Sequence, residues 1–154
     1  MVLLKYKIVK LIGGLSIIFW LNNVWAVSLA GDNQHTLSFT YKNLSQTTNF
    51  CITDQKIINY SVTVTSNEGD FVLKQNGTNS QVHYTLAWSN YPVDNWENLT
   101  YNLASSSIYR SSNAVNCGGS YNAALRATLN SIDISKATAG NYSGTLILLI
   151  TSKF

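Results

Sequence analysis

The chain has 154 residues, ten lysines and arginines against seven acids, and a formal net charge of +3. Lys5, Lys7 and Lys10 stand ahead of every acid, so from Val27 onward basic and acidic residues balance at seven each. That balance removes the electrostatic case for a nucleic-acid or anionic-membrane partner, and the remaining stretch of about 128 residues is enough for one domain with a buried core.

Residues 1–26 have the layout of a secretory signal peptide. Lys5, Lys7 and Lys10 form a positive start, "LIGGLSIIFWL" (11–21) is an apolar run, and Val24 and Ala26 are the small residues of a cleavage site. The apolar run is about half the ~20 residues that a membrane-spanning helix needs. Cleavage is expected after Ala26, with Ala30 the second choice. The mature chain is then expected to leave by the Sec pathway, without a membrane segment, for the periplasm and on to the cell surface or medium. Residues 27–36 form a short leader and residues 37–154 a single domain.

The domain reads as strand after strand. "TLSFTY" alternates Leu37, Phe39 and Tyr41 with polar neighbours, and "NYSVTVTS" alternates Tyr60, Val62 and Val64. "DFVLKQ" puts Phe71 and Leu73 on one side, and "QVHYTLAW" does the same with Val82, Tyr84, Leu86 and Trp88. This alternation of β-branched and aromatic residues is the mark of half-buried strands. "EGD" and "NGTN" between the runs predict tight turns. "NLTYNL" predicts a strand within the long irregular region that ends at "NCGG". "YNAALRATLNSIDI" alternates from Tyr121 to Leu129 and on to Ile132 and Ile134, which favours a strand over a helix. About seven or eight strands with short turns give an all-β, immunoglobulin-like antiparallel β-sandwich.

Cys51 and Cys117 are the only cysteines. In an exported chain they are expected to form a disulfide. Only His35 and His83 stand available to help them hold a metal, so no metal site or cofactor is expected. The carboxylates sit mostly in turns, where Asp caps backbone groups. Glu68 and Asp70 flank Gly69 at an expected hairpin tip, and His83 lies on the polar side of its strand. No nucleophile elbow, zinc-protease helix or phosphate loop is present. No catalytic residue is assigned, and an enzyme is not expected. Trp88, Tyr91, Trp96 and Tyr101 bracket "SNYPVDNWENL". Exposed aromatics beside Asn and Asp suit a sugar platform, so Tyr91 and Trp96 are candidates for a ligand loop binding a host or surface glycan. Against this, Trp88 belongs to the apolar face of its strand, and Trp96 suits a plug at the sandwich end.

The chain closes on "AGNYSGTLILLITSKF". Leu146, Leu148 and Ile150 fall on one face of a strand, and Ile147 and Leu149 on the other. A strand apolar on both faces wants cover on both, and a final strand with an open apolar edge is a hazard. A strand supplied by another molecule would complete such a sheet.

"TAGNYSGTLILLI" resembles the closing strand of bacterial chaperone–usher pilins, whose typical ending is "aGxYxgtlxlxv". The likeness is to the colonisation-factor (alpha) fimbrial subunits and the spore coat protein U-type pilins. "FCITDQKIINYSVTVTSNEGDFVLKQNGTNSQVHYTLAWSN" resembles the front of the spore coat U-type domain. "NCGGSYNAALRATLNSIDISKATAGNYSG" resembles its later cysteine and the strand before the closing motif. The likeness covers about 100 residues from Phe50 onward. It implies an incomplete sandwich, chaperone capture in the periplasm, passage through an usher, and assembly with neighbouring pilus subunits into a fibre. It also implies that Leu146, Ile147, Leu148, Leu149 and Ile150 contact the chaperone or a donor strand, with Tyr142 and Gly144 shaping the strand's entry. Polymerising pilins carry an N-terminal donor extension. Here the leader is only "VSLAGDNQH". Either "VSLAGDNQHTLSFTY" is the donor, or this subunit receives a strand and gives none.

Overall fold

A computed structural model describes residues 2–8, 28–30, 34–40, 42–90 and 95–153. Among these described residues, eleven strands, one short α-helix and a 3-10 turn follow in chain order. The strands are β1 (Val2–Ile8), β2 (Ser28–Ala30), β3 (Gln34–Phe39), β4 (Ser45–Thr53), β5 (Asn59–Ser66) and β6 (Val72–Gln75). They continue with β7 (Gln81–Ser89), β8 (Glu97–Leu99), β9 (Tyr109–Arg110), β10 (Ala123–Leu129) and β11 (Tyr142–Lys153). The 3-10 turn spans Val115–Gly119, and α1 spans Ser131–Lys136.

The strands form an all-β, immunoglobulin-like sandwich. In one layer β10 lies between β4 and β7, antiparallel to both, with β2 on β4 and β8 on β7. In the other, β11 lies antiparallel to β5, and β9 extends β5 at its start. β6 joins the layers, pairing with β7 through Val72–Lys74 and with β11 through Lys74 and Gln75. The sheet is open.

Alternation decides which side of each strand is buried. In β7, Val82, Tyr84, Leu86 and Trp88 point into the core. Opposite them in β10 are Leu129, Ala127 and Leu125, paired with Tyr84, Leu86 and Trp88. Trp88 is fully buried, stacks on Phe50 at 5.5 Å and meets Tyr109 of the opposite layer edge-on at 6.3 Å. The two-residue period therefore builds one continuous core between the layers. The "EGD" and "NGTN" turns form as expected. Gly69 and Gly77 take φ of 87° and 79° there, where a side chain would be strained.

Two expectations need correction. "SIDIS" is helical, because the Asn130 side chain accepts hydrogen bonds from the amides of Ile132 (2.9 Å) and Asp133 (3.2 Å) and starts a helix. The strand in "NLTYNL" stops at Leu99, since the chain turns at Asn102 with φ 58°. In the full chain Val2–Ile8, inside the expected signal peptide, is a strand not foreseen from the sequence. The missed signal was its own alternation, Val2, Leu4, Tyr6 and Ile8 against Leu3, Lys5 and Lys7. The apolar run 11–21, Ala26 and Tyr91 lie outside the described residues.

Candidate functional site

The closing strand is long, and its partners change along its length. On one side, Tyr142 and Ser143 pair with β6, and Leu146 through Lys153 pair with β5. Between these ladders, Asn67 donates to the Thr145 carbonyl at 3.2 Å and the Glu68 carboxylate accepts the Thr145 amide at 3.1 Å. The hairpin-tip glutamate thus bridges the gap in backbone pairing. Tyr142 is buried, donates to the Thr138 carbonyl at 2.9 Å and shares a 2.6 Å hydrogen bond with Ser80. These contacts fix where β11 enters the sheet. Gly144 follows, buried.

On the other side lies β1. It runs parallel to β11, from Val2 opposite Tyr142 to Ile8 opposite Leu148. It also runs antiparallel to β3, from Val2 opposite Phe39 to Lys7 opposite Gln34. β1 is the link between β3 and β11, for no ladder joins those two directly among the described residues. The slot borders the core. Leu37, Phe39, Leu146 and Leu148, on the two flanking strands, are all at most 5% exposed.

The two faces of the closing run are not equal. Leu146 and Leu148 are each 1% exposed, and Ile150 packs half-buried against the core. Ile147 is half-buried, and Leu149 is 38% exposed. The outward face is covered less than a strand apolar on both sides led us to expect. β1 runs beside Leu146, Ile147 and Leu148 alike, and its last pair is at Leu148, one residue short of Leu149.

The cysteines are joined. Cys51 and Cys117 form a disulfide with 5.8 Å between Cα atoms. Beside it, the Asn122 side chain accepts the Ile52 amide at 2.8 Å and donates to the Ile52 carbonyl at 2.9 Å, as a neighbouring strand would. The bridge fits an oxidising compartment. No helix among the described residues is long and apolar enough to cross a membrane.

Trp96 lies half-buried, with the Arg126 guanidinium 4.2 Å from its ring centre. Beside it is a cavity of about 310 Å³ lined by Asn90, Asn95, Trp96, Glu97, Ser107, Ile108 and Tyr109. The carboxylate in this cavity is already engaged. One Glu97 oxygen accepts the Ser106 amide (2.5 Å) and hydroxyl (2.7 Å), and the other accepts the Ser107 amide (3.1 Å) and the Tyr109 hydroxyl (2.5 Å). Burial pushes the Glu97 carboxyl up, but these hydrogen bonds from Tyr109, Ser106 and Ser107 outweigh it and hold the group at about 2. Glu97 organises a loop and was not singled out in the sequence, where nothing near it signalled a role.

His83 and Asp133 also meet. Asp133 accepts from the His83 amide at 3.0 Å and lies 2.6 Å from its Nδ1. The backbone bond from His83, then its ring, hold the Asp133 carboxyl below the usual range. The pair fastens α1 to β7. No group of three or more His, Cys, Asp or Glu suited to a metal ion occurs among the described residues. The chain matches no protein-family model and no curated protein.

Proposed function

We propose that this chain is a non-catalytic structural or minor subunit of a bacterial surface fibre, assembled by donor-strand complementation with a periplasmic chaperone, an usher and neighbouring subunits. One observation carries the reading. The slot between β3 and β11 is filled by Val2–Ile8, which belongs to the segment the sequence marks for removal as a signal peptide. Once that segment is cut away, the β11 edge from Tyr142 to Leu148 and the β3 edge lose their shared neighbour. Their amides and carbonyls are then unpaired beside Leu37, Phe39, Leu146 and Leu148, the kind of open edge proteins do not tolerate. A strand from a chaperone or a neighbouring subunit restores both ladders. Such a strand can run parallel to β11, as β1 does, and its alternate apolar residues would occupy the register positions of Val2, Leu4, Tyr6 and Ile8. The disulfide and the resemblance of the closing motif to pilins support the same reading.

The test is to export the chain beginning at Val27 with and without its cognate chaperone. Alone, it should aggregate or be degraded, and the chaperone should yield a soluble one-to-one complex. A synthetic Val2–Ile8 peptide added during refolding should rescue it in part. A stable, soluble monomer from Val27 onward with no partner overturns the reading.

The cavity beside Trp96 favours a second reading, a self-contained secreted module that binds glycan. Glycan-array binding that falls with Trp96→Ala supports it, and an array without signal above background removes it.

A further inference from the structure

We propose that residues 102–110 are a guard on the outer edge of β5, pinned in place by Glu97, and that the partner they exclude is the same edge of a second copy of this chain. The inference does not depend on the fibre reading.

β5 has β11 on one side. On the other, a regular strand covers only its start, where Asn59 and Tyr60 pair with Arg110 and Tyr109 of β9. Beyond that point an irregular segment takes over. Ser105 donates its amide to the Val62 carbonyl at 2.8 Å, and its hydroxyl accepts the Val62 amide at 3.1 Å. Thr63 forms an isolated bridge with Ala104, and Asn102 donates to the Val64 carbonyl at 3.0 Å. Just before β5, the Ser111 hydroxyl does the same for the Ile58 amide at 3.0 Å. Serine hydroxyls thus stand where the carbonyls of a neighbouring strand would be.

Such cover is needed because β5 cannot protect itself. Asn59–Ser66 reads NYSVTVTS, with no charge, no proline and no glycine. Edges are usually blunted by charge, by proline or by a covering loop. An uncharged β-branched strand of this length is also what stacks readily upon itself. Antiparallel pairing of two such edges sets Val and Thr against Val and Thr with no like charges opposed.

The cover is tied down from the opposite layer. Glu97 lies on β8, paired with Trp88, and gathers four donors from Ser106, Ser107 and Tyr109. The Tyr109 ring is buried against Tyr60 and Trp88, so one end of the segment is rooted in the core. The middle rests on Glu97. Without the carboxylate, the Ser106 and Ser107 amides lose their acceptor and the loop loses its hold on β5.

The experiment compares the full chain, disulfide intact, with Glu97→Ala and with the milder Ser106→Ala, which removes one hydroxyl bond from an exposed residue. Amide exchange is read at Val62, Asn102 and Ser105, with Leu125 and Leu148 as core controls, and association is read by sedimentation across concentrations. In Glu97→Ala, exchange at the three amides should rise at least tenfold while the core controls hold, and the chain should form oligomers where the parent is monomeric. Ser106→Ala should move both readouts the same way by less. Adding Thr63→Lys, which puts a charge on the bared edge, should restore the monomer. If Glu97→Ala loses protection at Leu125 and Leu148, Ser106→Ala decides by the same readouts. Unchanged exchange at the three amides overturns the proposal. So does a loosened segment on a chain that stays monomeric, or oligomers that persist with Thr63→Lys.

Discussion

Breaking the Cys51–Cys117 bridge should cost more than any single side-chain truncation on the surface. The bridge closes a loop of 66 residues. By the loop-entropy relation, that closure restrains the unfolded chain by about 4 kcal/mol. Total stabilities run at about 5–15 kcal/mol, so the bridge carries a large share. The folded state adds a local reason. Cys51 is 5% exposed between the core residues Phe50 and Ile52, and Cys117 sits at φ 50° in a short 3-10 turn. Once the bridge is broken, only the turn's own hydrogen bonds, from the Cys117 amide to Ala114 and from Ser120 to the Cys117 carbonyl, hold Cys117 in a conformation costly for a non-glycine residue. Urea unfolding followed through the buried Trp88, with and without reductant, reads the effect. The reduced chain should lose about 4 kcal/mol, or roughly 10–20 °C in melting temperature. Cys51→Ala, Cys117→Ala and the double variant should match it and one another. Coincident unfolding midpoints for oxidised and reduced protein would refute the loop argument. Two alkylatable thiols in protein from an oxidising compartment would refute the linkage itself.

Three further outcomes follow from named contacts. Leu148→Ala should destabilise the full chain by about 2–5 kcal/mol and Leu149→Ala by less than about 1 kcal/mol, measured by denaturant unfolding, because only Leu148 is enclosed. Asn130→Ala should cost about 1 kcal/mol through loss of the α1 cap, with faster amide exchange at Ile132 and Asp133 and none at Leu125. Glu97 titrates at about 2 in the folded chain against an ordinary 4.5, so its contribution is complete above about 4.5 and lost as pH falls through about 2. The amides of Ser106 and Ser107 should therefore remain protected at pH 4 and open near pH 2, and opening at pH 4 contradicts the hydrogen-bonded clasp.

The sandwich was legible because its central strands obey one rule. β5, β7 and β10 bury alternate residues, so Val62, Val64, Leu86, Trp88 and Leu125 could be assigned a face from spacing alone. The bridge was legible because there were only two cysteines, in a chain whose first residues read as an export signal. What escaped depends on groups that spacing does not report. The helix at "SIDIS" turns on one asparagine side chain capturing two amides, and Ile132 and Ile134 two apart fit a strand as well as a helix turn. The role of Glu97 depends on bringing Ser106, Ser107 and Tyr109 round to it, which local sequence does not reveal. Trp96 suited either a sugar platform or a plug at the sandwich end; it is half-buried, with Arg126, thirty residues on, over its ring.

The closing run is the other case where sequence was right about a need and less so about its form. Leu146, Leu148 and Ile150 alternate with Ile147 and Leu149, a pattern that calls for two buried faces. In the fold, its inward face is enclosed and its outward face is only half covered. The sharper demand is at the edges. β11 is bonded along one edge by β6, Glu68 and β5, and along the other by β1 from Tyr142 to Leu148. Removing β1 leaves the inward face in place but takes the neighbouring strand from a seven-residue stretch of one edge, Tyr142 to Leu148. An apolar side chain can be shielded by small shifts of its neighbours, whereas a buried amide or carbonyl without a partner costs free energy until another backbone reaches it. On the proposed function, in which the N-terminal segment is removed, this edge is where an extended partner would bind. The β5 edge, by contrast, is already covered by residues 102–110.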